Sequence, residues 1–563
     1  MKVIIVGGVA GGATAAARIR RLDEHAEITV FERSGYISYA NCGLPYYIGD
    51  VITDPEELTL QTPESFFKRF RINMKIHHEV ISIHPERKTV SVKNLENGEI
   101  FEENYDKLIL SPGAKPTQPR LPGVGMDKLF TLRTVEDTFR IKEYINKNHP
   151  KSAVLAGGGF IGLELAENLR ELGMDVTIVQ RPKQLMNPFD PDMASMIHSE
   201  MRKHGIKLVL GYTVEGFTEK DNGVEVLLKD NPSLQADMVV LAIGVTPDTA
   251  LAKEAGLELG IKGSIVVNDR METSVPDIYA AGDAVQVKHY VTGDDALISL
   301  AGPANKQGRI IADNICGGDS RYLGSQGSSV IKVFDITAAT TGINETNAKK
   351  SGLEVDTVIL SPMSHAGYYP GGKVMTMKVV FEKETYRLLG AQIIGYEGVD
   401  KRIDVLATAI HAGLKATQLK DLDLAYAPPY SSAKDPVNMA GFMIDNIAKG
   451  TLKQWHLEDM DKISKDKSVV LLDVRTVGEF NRGHMDGFRN IPVDELRERI
   501  NEIEKGKPVY LICQSGLRSY IASRILEGNG YETYNFSGGF RFYDAVVNDR
   551  ALIERAYACG MDY

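Results

Sequence analysis

Uninterrupted runs of apolar residues recur in the first half of the chain, and two of them lead straight into glycines. Residues 3–6 form one such run and residues 153–155 form another. Runs without polar alternation are typical of parallel strands that are buried on both faces. Each run is followed by a helix-like stretch and a second apolar run, at 13–22 with 28–31 and at 162–172 with 176–179. The pattern predicts two βαβ units within an α/β fold.

The first glycine loop has the spacing of a dinucleotide-binding fingerprint. It reads Gly7-Gly8-Val9-Ala10-Gly11-Gly12, with Val9 in place of the usual second glycine. Gly7 allows the tight turn, Gly12 lets the helix approach the strand, and the helix N-terminus faces a pyrophosphate. Glu32 ends the second strand, where a carboxylate binds ribose hydroxyls. We therefore predict that Gly7 to Gly12, Glu32 and Arg33 contact a dinucleotide.

The second glycine loop is a complete G-x-G-x-x-G motif. Its glycines Gly157, Gly159 and Gly162 are predicted cofactor contacts. The acid expected at the end of the following strand is replaced by Gln180, which precedes Arg181. A carboxylate at this point favours NAD, whereas an arginine can pair with the 2′-phosphate of NADP. The choice between NADH and NADPH therefore stays open.

The second βαβ unit is inserted into the first fold. The apolar run 239–243 closes the insert before Gly244, and the run that ends in Gly282-Asp283 returns the chain to the first fold. This nested arrangement resembles the two-dinucleotide flavoprotein reductases. The resemblance implies that the first fold binds FAD, that the second binds NAD(P)H, and that Asp283 contacts the ribityl chain of the flavin. Ala114, Gly244 and Gly282 complete the predicted cofactor contacts.

One cysteine, Cys42, lies in a turn rich in Gly, Asn and Pro just after the first βαβ unit. The next cysteine along the chain is Cys316, so no second thiol lies at the short spacing that a protein dithiol uses. A redox role for Cys42 therefore needs a thiol from the substrate, or its own oxidation to a sulfenic acid. We expect a helix N-terminus and the flavin to lower the pKa of Cys42, because the thiolate is the nucleophile.

Two basic clusters accompany the first fold. Arg18, Arg20 and Arg21 lie on the first predicted helix, and four more basic residues, Lys68, Arg69, Arg71 and Lys75, lie between 60 and 80. Together they would form a pocket for a phosphate-rich substrate. The alternative for the second cluster is an ordinary solvated helix face.

From about residue 327 the pattern changes to short strands and helices, with strands expected at 330–334, 374–381 and 391–394 and a helix at 402–412. This part resembles the α+β dimerisation domain of the same reductases. Two loops rich in Pro, Gly and aromatic residues carry Tyr368 and Tyr426. Such tyrosines either pack against the domain or are presented rigidly by Pro428-Pro429.

The last part of the chain carries a second cysteine motif. A strand at 509–512 ends in Cys513-Gln514-Ser515-Gly516-Leu517-Arg518, and a helix follows. Backbone N–H groups of such a loop, with the helix N-terminus, would stabilise a thiolate or a persulfide anion. The strand 469–473 and the turn Gly483-His484 add to a resemblance to the rhodanese sulfurtransferases. The loop length suits sulfur rather than the bulkier phosphate.

We therefore expect four α/β or α+β domains. Their predicted limits are 1–115 with 247–326 for FAD, 116–246 for NAD(P)H, 327–445 for dimerisation, 446–457 for a linker and 458–563 for the rhodanese domain. Both dinucleotide domains are expected to be Rossmann-like, and the rhodanese domain to be α/β.

Taken together, the Cys42 turn, the tyrosine loops and the rhodanese segment resemble the coenzyme A disulfide reductase–rhodanese fusions, a group that includes NAD(P)H-dependent persulfide reductases. The resemblance implies FAD, NADH or NADPH, and coenzyme A disulfide, coenzyme A persulfide or polysulfide as substrate. It implies a homodimer whose subunits share an active site. Catalytic roles would fall to Cys42, Cys513, Tyr368, Tyr426 and Arg518, and substrate contacts to Thr14, Arg18, Arg21, Ser38, Asn41, Arg71, Asn305 and Lys434.

Two other functions remain open. NADH oxidases and peroxidases use one cysteine as a sulfenic acid. These enzymes resemble this chain through the FAD domain, but they carry a histidine in the first glycine loop, where this chain has Ala10. The third hypothesis is a sulfur carrier or redox sensor. In that case the flavin only returns Cys42 to its reduced state.

Composition excludes several classes. The net charge of −10 argues against non-specific nucleic-acid binding. The four cysteines are too scattered for a disulfide framework. No apolar run reaches the roughly 18 residues of a membrane span, and the N-terminal strand lacks the layout of a signal peptide. We expect a cytoplasmic protein without a metal site.

Overall fold

The structure is a computed structural model that describes residues 1–220 and 223–559. It forms two compact units, one of Met1–Pro182 with Ile206–Gly327 and one of Lys183–Gly205 with Ser328–Tyr563. Among the described helices, none is both long and apolar enough to cross a lipid bilayer.

The first unit is built on two parallel sheets of five strands. The first sheet has the spatial order Ile278–Ala280, Lys107–Leu110, Lys2–Val6, Glu27–Phe31 and Asn73–Lys75. The second has the order Leu129–Thr131, Met238–Leu241, Ser152–Ala156, Asp175–Gln180 and Lys207–Leu210. Val3, Ile4 and Ile5 are fully buried, as the uninterrupted apolar run predicts.

Helices and smaller sheets complete this unit. Its α-helices are Ala10–Leu22, Leu44–Ile48, Pro63–Phe70, Val135–Asn148, Phe160–Glu171, Ala250–Glu254 and Ala301–Ile315. Its antiparallel sheets comprise Ile37–Tyr39 with Thr59–Gln61, His78–His84 with Thr89–Asn94 and Ile100–Asn104, Val214–Lys220 with Gly223–Leu228 and Asn231–Ala236, and Val287–Lys288 with Asp295–Ala296. Strands Ala114–Pro116 and Val245–Pro247 pair antiparallel where the chain passes between the two folds.

The second unit contains an antiparallel sheet and a parallel sheet. The antiparallel sheet has the order Ser329–Val333, Ile336–Gly342, Leu388–Gly395, Met375–Glu382 and Val355–Leu360. The parallel sheet has the order Gln454–Trp455, Thr533–Phe536, Val509–Ile512, Val470–Asp473 and Arg489–Asn490. The α-helices are Pro191–Lys203, Glu345–Lys350, Val399–His411, Pro436–Ala448, Met460–Ile463, Val477–Arg482, Leu517–Glu527 and Gly539–Cys559.

These architectures confirm the expected fold class, with two nested Rossmann-like folds, an α+β domain and a C-terminal α/β domain. The segment 446–457, however, is not a linker in the sense predicted. Helix Pro436–Ala448 runs into it, and strand Gln454–Trp455 pairs with Thr533–Phe536 in the parallel sheet. Trp455 is buried against Phe536, with ring centroids 4.5 Å apart. The burial of Trp455 makes it part of the C-terminal core. The remaining domain limits stay predictions.

The C-terminal domain is held to the rest of its unit by buried polar contacts. The Ile359 N–H, on the edge strand Val355–Leu360, donates to Ser537 Oγ at 3.0 Å. His198 Nε2 accepts from the Leu185 N–H at 2.9 Å, so its Nδ1 carries the proton and donates to Asp549 at 2.8 Å. Arg202 adds a second bond to Asp549 at 2.5 Å. The C-terminal domain is therefore docked on its neighbours rather than tethered to them.

Candidate active site

Close backbone approach explains the glycines of the first loop. Gly7 has φ of +98°, and a Cβ there would lie 2.1 Å from the Ser111 carbonyl oxygen. A Cβ on Gly12 would lie 1.9 Å from the Gly7 carbonyl oxygen. Helix Ala10–Leu22 begins directly after the loop, and no side chain caps its N-terminus. Its first N–H groups are therefore available to a phosphate.

A cavity of about 250 Å³ lies beside this loop and is lined by Gly7, Glu32, Arg33 and Val80, among others. Glu32 accepts the Gly8 N–H at 2.8 Å, and Arg33 pairs with Asp248 at 2.8 Å. An acid at the end of the second strand next to an uncapped helix fits the adenosine and pyrophosphate of FAD. The predicted contacts Gly7 to Gly12, Glu32 and Arg33 thus lie together.

Asp283 has a partner that the sequence did not indicate. Its Oδ2 accepts a hydrogen bond from Arg133 Nη2 at 2.6 Å, and both side chains are largely buried. The preceding Gly282 N–H donates to Gln307 Oε1 at 2.7 Å. Arg133 precedes helix Val135–Asn148 in the inserted fold, so this ion pair links the two dinucleotide folds. No local signal pairs residues 150 positions apart.

The second glycine loop repeats the geometry of the first. Gly157 has φ of +120°, and a Cβ there would lie 2.2 Å from the Ala242 carbonyl oxygen. Gly162 approaches the Gly157 carbonyl in the same way, whereas the space around Gly159 is open. Gln180 Oε1 accepts the Gly158 N–H at 3.0 Å, as Glu32 does for Gly8. The amide NH₂ of Gln180 is left to donate, so the residues fit a nicotinamide dinucleotide without choosing between its two forms.

Cys42 lies on a tight turn between a strand and a short helix. The turn Asn41–Gly43 separates strand Ile37–Tyr39 from helix Leu44–Ile48, and Cys42 is exposed. Ser38 has φ of +44°, an uncommon left-handed conformation for serine, and its N–H donates to the Gly8 carbonyl at 2.9 Å. Strain of this kind persists where neighbouring structure enforces it, often at functional sites. The predicted residues Ser38, Asn41 and Cys42 therefore lie close together in the chain, and Ser38 ties this segment to the first glycine loop.

The protein's own groups do not lower the pKa of Cys42, contrary to our expectation. Partial desolvation by the surrounding protein raises the pKa of its thiol although the residue is exposed, and the carboxylate of Glu164 raises it further. Arg133 opposes this effect. The helix that follows has only five residues, Leu44–Ile48, so its dipole is small.

Glu164 is a second residue that the sequence did not single out. It lies on helix Phe160–Glu171, directly after the second glycine loop. Burial, with the nearby charge of Glu167, raises the pKa of Glu164 to about 7. Its carboxyl group therefore titrates near neutral pH, close enough to Cys42 to affect the thiol. The only sequence signal for Glu164 was its position, two residues after the last glycine of the second loop, where helix and strand pack closely.

Two helices of the first unit bring together several predicted substrate contacts. Thr14 Oγ1 donates to Asn305 Oδ1 at 2.6 Å, and one turn further on Arg18 Nε binds Asp313 at 2.7 Å. Arg21, on the same helix, and Arg71 are exposed. Arg309, which we had not predicted, also lies 4.0 Å from Asp313 and is exposed. Arg18, Arg21 and Arg309 form a basic surface along helices Ala10–Leu22 and Ala301–Ile315, and Arg71 lies at the end of helix Pro63–Phe70.

Arg20 is not part of that surface. Its buried guanidinium donates to five backbone carbonyl groups, including those of Phe70 at 2.7 Å and Arg71 at 3.0 Å. Residues two apart on a helix point in different directions, so Arg18 and Arg20 do not share a face. Arg20 is therefore a structural residue that fixes the end of helix Pro63–Phe70.

The two predicted tyrosines meet in the second unit. The hydroxyl groups of Tyr368 and Tyr426 lie 2.7 Å apart, and the side chains are 76% and 44% exposed. This hydrogen bond raises the pKa of Tyr426, which therefore keeps its proton at neutral pH. Lys434 is exposed on the same loop as Tyr426. The tyrosines are thus presented at the surface rather than packed inside.

Cys513 lies at the base of an anion-binding loop. Its Sγ is fully buried and accepts hydrogen bonds from the Gly516 N–H at 3.1 Å and the Ser519 hydroxyl at 3.2 Å. Gly516, with φ of +96°, turns the chain into helix Leu517–Glu527, whose N-terminus faces the loop. Two donors and a helix N-terminus are arranged to hold an anionic sulfur group such as a bound persulfide.

Arg518 does not touch the sulfur. Its guanidinium makes two bonds of 2.7 Å to Glu479, and this pairing lowers the pKa of Glu479 to about 2. After the neighbouring strand Val470–Asp473, Arg475 is buried against Asp473 and stacks on the ring of Phe540, 3.8 Å from the ring centroid. Arg518 is nevertheless close enough to Cys513 for the two groups to interact electrostatically, so its charge can act on the sulfur without a hydrogen bond.

Family models match three parts of the chain. Residues 1–308 match the model described as pyridine nucleotide-disulphide oxidoreductase, and residues 328–436 match the dimerisation domain of these enzymes. Residues 456–545 match the rhodanese-like domain.

Three known proteins are similar over most of their length. Coenzyme A disulfide reductase of Staphylococcus aureus (strain JH9) is 39% identical over 443 residues, which are 78% of this chain and 99% of that protein. The structure of reduced CoADR-RHD from Bacillus anthracis is 49% identical, covers 98% of both chains and has a TM-score of 0.95. An NAD-dependent persulfide reductase from A. fulgidus is 38% identical, covers 96% of this chain and 100% of its own, and has a TM-score of 0.90. The resemblance drawn from the sequence is confirmed.

The effect of Glu164 on Cys42 is testable. Glu164→Gln removes a negative charge from beside the thiol, so we expect a lower pKa for Cys42. Alkylation of the Cys42 peptide by iodoacetamide, followed by mass spectrometry of the holoenzyme, should then be faster than in wild type at pH 8. The difference should narrow as the pH falls below 7, where wild-type Glu164 becomes neutral as well.

Glu171→Gln is the matched control, because Glu171 is exposed at the end of the same helix. It should alkylate like wild type. Equal rates for Glu164→Gln and wild type at every pH would show that Glu164 does not act on Cys42.

Proposed function

Because this chain belongs to the pyridine nucleotide-disulphide oxidoreductase family, we propose that it reduces coenzyme A-linked disulfide, persulfide or polysulfide sulfur through Cys42. One observation carries the proposal. Among the cysteines whose side chains the structure describes, Cys42, Cys316 and Cys513 are free thiols, and Cys42 is exposed on a turn just after the strained Ser38. A disulfide formed by Cys42 would therefore be made with a sulfur that the substrate brings.

The cofactors would be FAD and NADH or NADPH. Gly7 to Gly12, Glu32, Arg33, Ala114, Gly282 and Asp283 would hold FAD, and Gly157, Gly159, Gly162, Gln180 and Gly244 would hold the nicotinamide dinucleotide. When bound, FAD carries electron pairs from a nicotinamide to sulfur. The chain's own residues bind and orient the cofactors and supply the thiol.

Coenzyme A fits the basic surface of the first unit. Its phosphate groups would bind Arg18, Arg21 and Arg71, and Thr14 and Asn305 would contact the same ligand. Charge-assisted hydrogen bonds from arginine favour phosphate oxygens. Arg18 is partly neutralised by Asp313, so Arg21 and Arg71, which are exposed, would contribute most to phosphate binding.

The chemical step at Cys42 is a thiol–disulfide exchange. The thiolate attacks one sulfur of coenzyme A disulfide, a Cys42–coenzyme A bond forms, and the second coenzyme A leaves as a thiolate. With coenzyme A persulfide the same bond forms and hydrosulfide leaves. The resulting mixed disulfide accepts the electron pair that originates from NAD(P)H. The leaving thiolate takes a proton from a neighbouring acid.

Tyr426 is the acid that we propose, in partnership with Tyr368. Their exposed, hydrogen-bonded hydroxyl groups suit a site completed by a second copy of the chain. In this proposal the protein is a homodimer, and the tyrosines of one subunit serve Cys42 of the other. The matched dimerisation domain supports this assembly.

Cys42→Ser tests the central assignment. The variant should keep FAD, and NAD(P)H should still bleach its flavin absorbance, because neither event needs the thiol. Reduction of coenzyme A disulfide and of coenzyme A persulfide should fall to background. Cys316→Ser is the control, since Cys316 caps helix Ala301–Ile315 and should leave turnover unchanged. Wild-type turnover in Cys42→Ser would refute the assignment.

The rhodanese domain would supply the sulfur. Cys513 would take sulfane sulfur as a persulfide, held by Gly516 and Ser519, and pass it to coenzyme A or to Cys42. Because the domain is docked through Ser537 and Asp549, a flexible tether does not raise the local concentration of donor. Coenzyme A, as a carrier of the persulfide, is therefore the favoured route.

Cys513→Ser tests the relay. Sulfur transfer from thiosulfate-type donors should be abolished, and sulfide release from bulky donors should slow. Reduction of preformed coenzyme A persulfide should survive, because it needs only Cys42. Identical sulfide production from every donor in Cys513→Ser and wild type would show that the two domains work independently.

A further inference from the structure

One buried guanidinium holds the main chain of both tyrosine loops. Arg402 is 1% exposed, on helix Val399–His411. Its Nη2 donates to the Ser364 carbonyl at 3.0 Å, four residues before Tyr368. The same nitrogen donates to the Tyr430 carbonyl at 3.3 Å, four residues after Tyr426. A single side chain therefore contacts both segments that carry the tyrosine pair.

The position of this guanidinium is itself strongly constrained. Nη2 also lies 3.0 Å from Ser431 Oγ and 3.1 Å from Asp435, and the Ser431 hydroxyl donates to Asp435 at 2.7 Å. Nη1 donates to the Gly398 carbonyl at 3.1 Å. A Cβ on Gly398 would lie 2.1 Å from Nη1, so a glycine is required at that position. A planar fork with several donors is needed here, which lysine cannot supply.

The two loops are also joined directly, near the same point. The Ala366 N–H donates to the Ser431 carbonyl at 2.9 Å, and Lys401 Nζ reaches the Ala425 carbonyl at 3.4 Å. The rings of Tyr368 and Tyr426 are exposed, so packing around them does little to fix their position. Their hydroxyl–hydroxyl distance of 2.7 Å therefore depends on how the loop backbones are held.

We propose that Arg402, with Ser431 and Asp435, is a positioning residue for the tyrosine pair. Arg402 keeps the Tyr368 and Tyr426 hydroxyl groups in contact. The Tyr426 hydroxyl is thereby held where it can donate a proton to the departing thiolate. The inference rests on the proposed function, in which Tyr426 protonates that thiolate. It assigns a role to a residue that contacts neither substrate nor cofactor.

Arg402→Lys is the first test, because it keeps the charge and loses the fork. Turnover of coenzyme A disulfide should fall by about ten- to a hundredfold, the size of effect that misplaced catalytic groups produce. The fall should appear in kcat rather than in KM. FAD content and the stopped-flow rate of flavin reduction by NAD(P)H should stay as in wild type, because neither uses the tyrosines.

A double-mutant cycle separates positioning from general damage. If Arg402 acts through Tyr426, Arg402→Lys should have little further effect in the Tyr426→Phe background, so the two losses will not multiply. The pH profile of kcat gives a second check. Tyr426→Phe should remove the fall of kcat at alkaline pH, and Arg402→Lys should remove it too. Fully multiplicative losses would overturn the proposal.

Two further variants keep the test decisive. Lys349→Met breaks the 2.5 Å ion pair of Lys349 with Glu345 on helix Glu345–Lys350, in the same domain but outside both loop segments, and should leave kcat unchanged. If Arg402→Lys fails to fold, Ser431→Ala removes one hydroxyl from the Arg402–Asp435 contact, and its smaller loss should again vanish in Tyr426→Phe. A multiplicative loss in this second cycle would overturn the proposal equally.

The test of Arg402 and the test of the proposed function can give different results. Cys42→Ser with wild-type turnover would refute the function whatever Arg402 does. Loss of activity in Cys42→Ser and Tyr426→Phe, together with an independent effect of Arg402→Lys, would retain the function and reject only the positioning role.

Discussion

Among the residues that the structure describes, the flavoprotein half has one exposed thiol, Cys42, and it is not paired with another cysteine, and this constraint organises the proposed site. In the proposed function a sulfur from the substrate binds covalently to Cys42, so the enzyme would need a surface that recognises the carrier of that sulfur. It would also need an acid for the thiolate that leaves. We propose the basic surface of the first unit for the first role and the tyrosine pair of the second unit for the second.

Carboxylates near Cys42 work against its ionisation. Glu164 titrates near pH 7 and raises the pKa of the thiol, and partial desolvation acts in the same direction. The protein therefore does not hold a permanently ionised thiolate on this turn by means of its own charges. A thiol of this kind is protected against indiscriminate oxidation, because the thiolate is the reactive form.

Much of the fold was predictable from the sequence because its signals are local. The glycine loops, their flanking apolar runs and Glu32 lie within a few tens of residues, and each has a steric or electrostatic reason. The anion-binding loop at Cys513 is similarly local. The failures concern contacts between distant segments. The Arg133–Asp283 and His198–Asp549 pairs join segments more than a hundred residues apart, and Trp455 belongs to a sheet whose other strands come later.

Two arginines illustrate the same limit. Arg20 could have been separated from Arg18 by helical periodicity alone, which places them on different faces. The role of Arg402 could not have been predicted from the sequence. Its partners lie on loops about thirty to forty residues away on either side, and only the folded chain brings them together. A residue that acts through the backbone of others leaves no motif.

The central claim is that the substrate's thiol becomes bound to Cys42. The most direct measurement is peptide mass mapping, without added reductant, of the holoenzyme in its free-thiol form after mixing with coenzyme A disulfide in the absence of NAD(P)H. The account predicts a coenzyme A mixed disulfide on the Cys42 peptide, and its loss when NAD(P)H is added. Coenzyme A bound only at Cys513, or Cys42 recovered as a sulfenic acid with no coenzyme A attached, would contradict it.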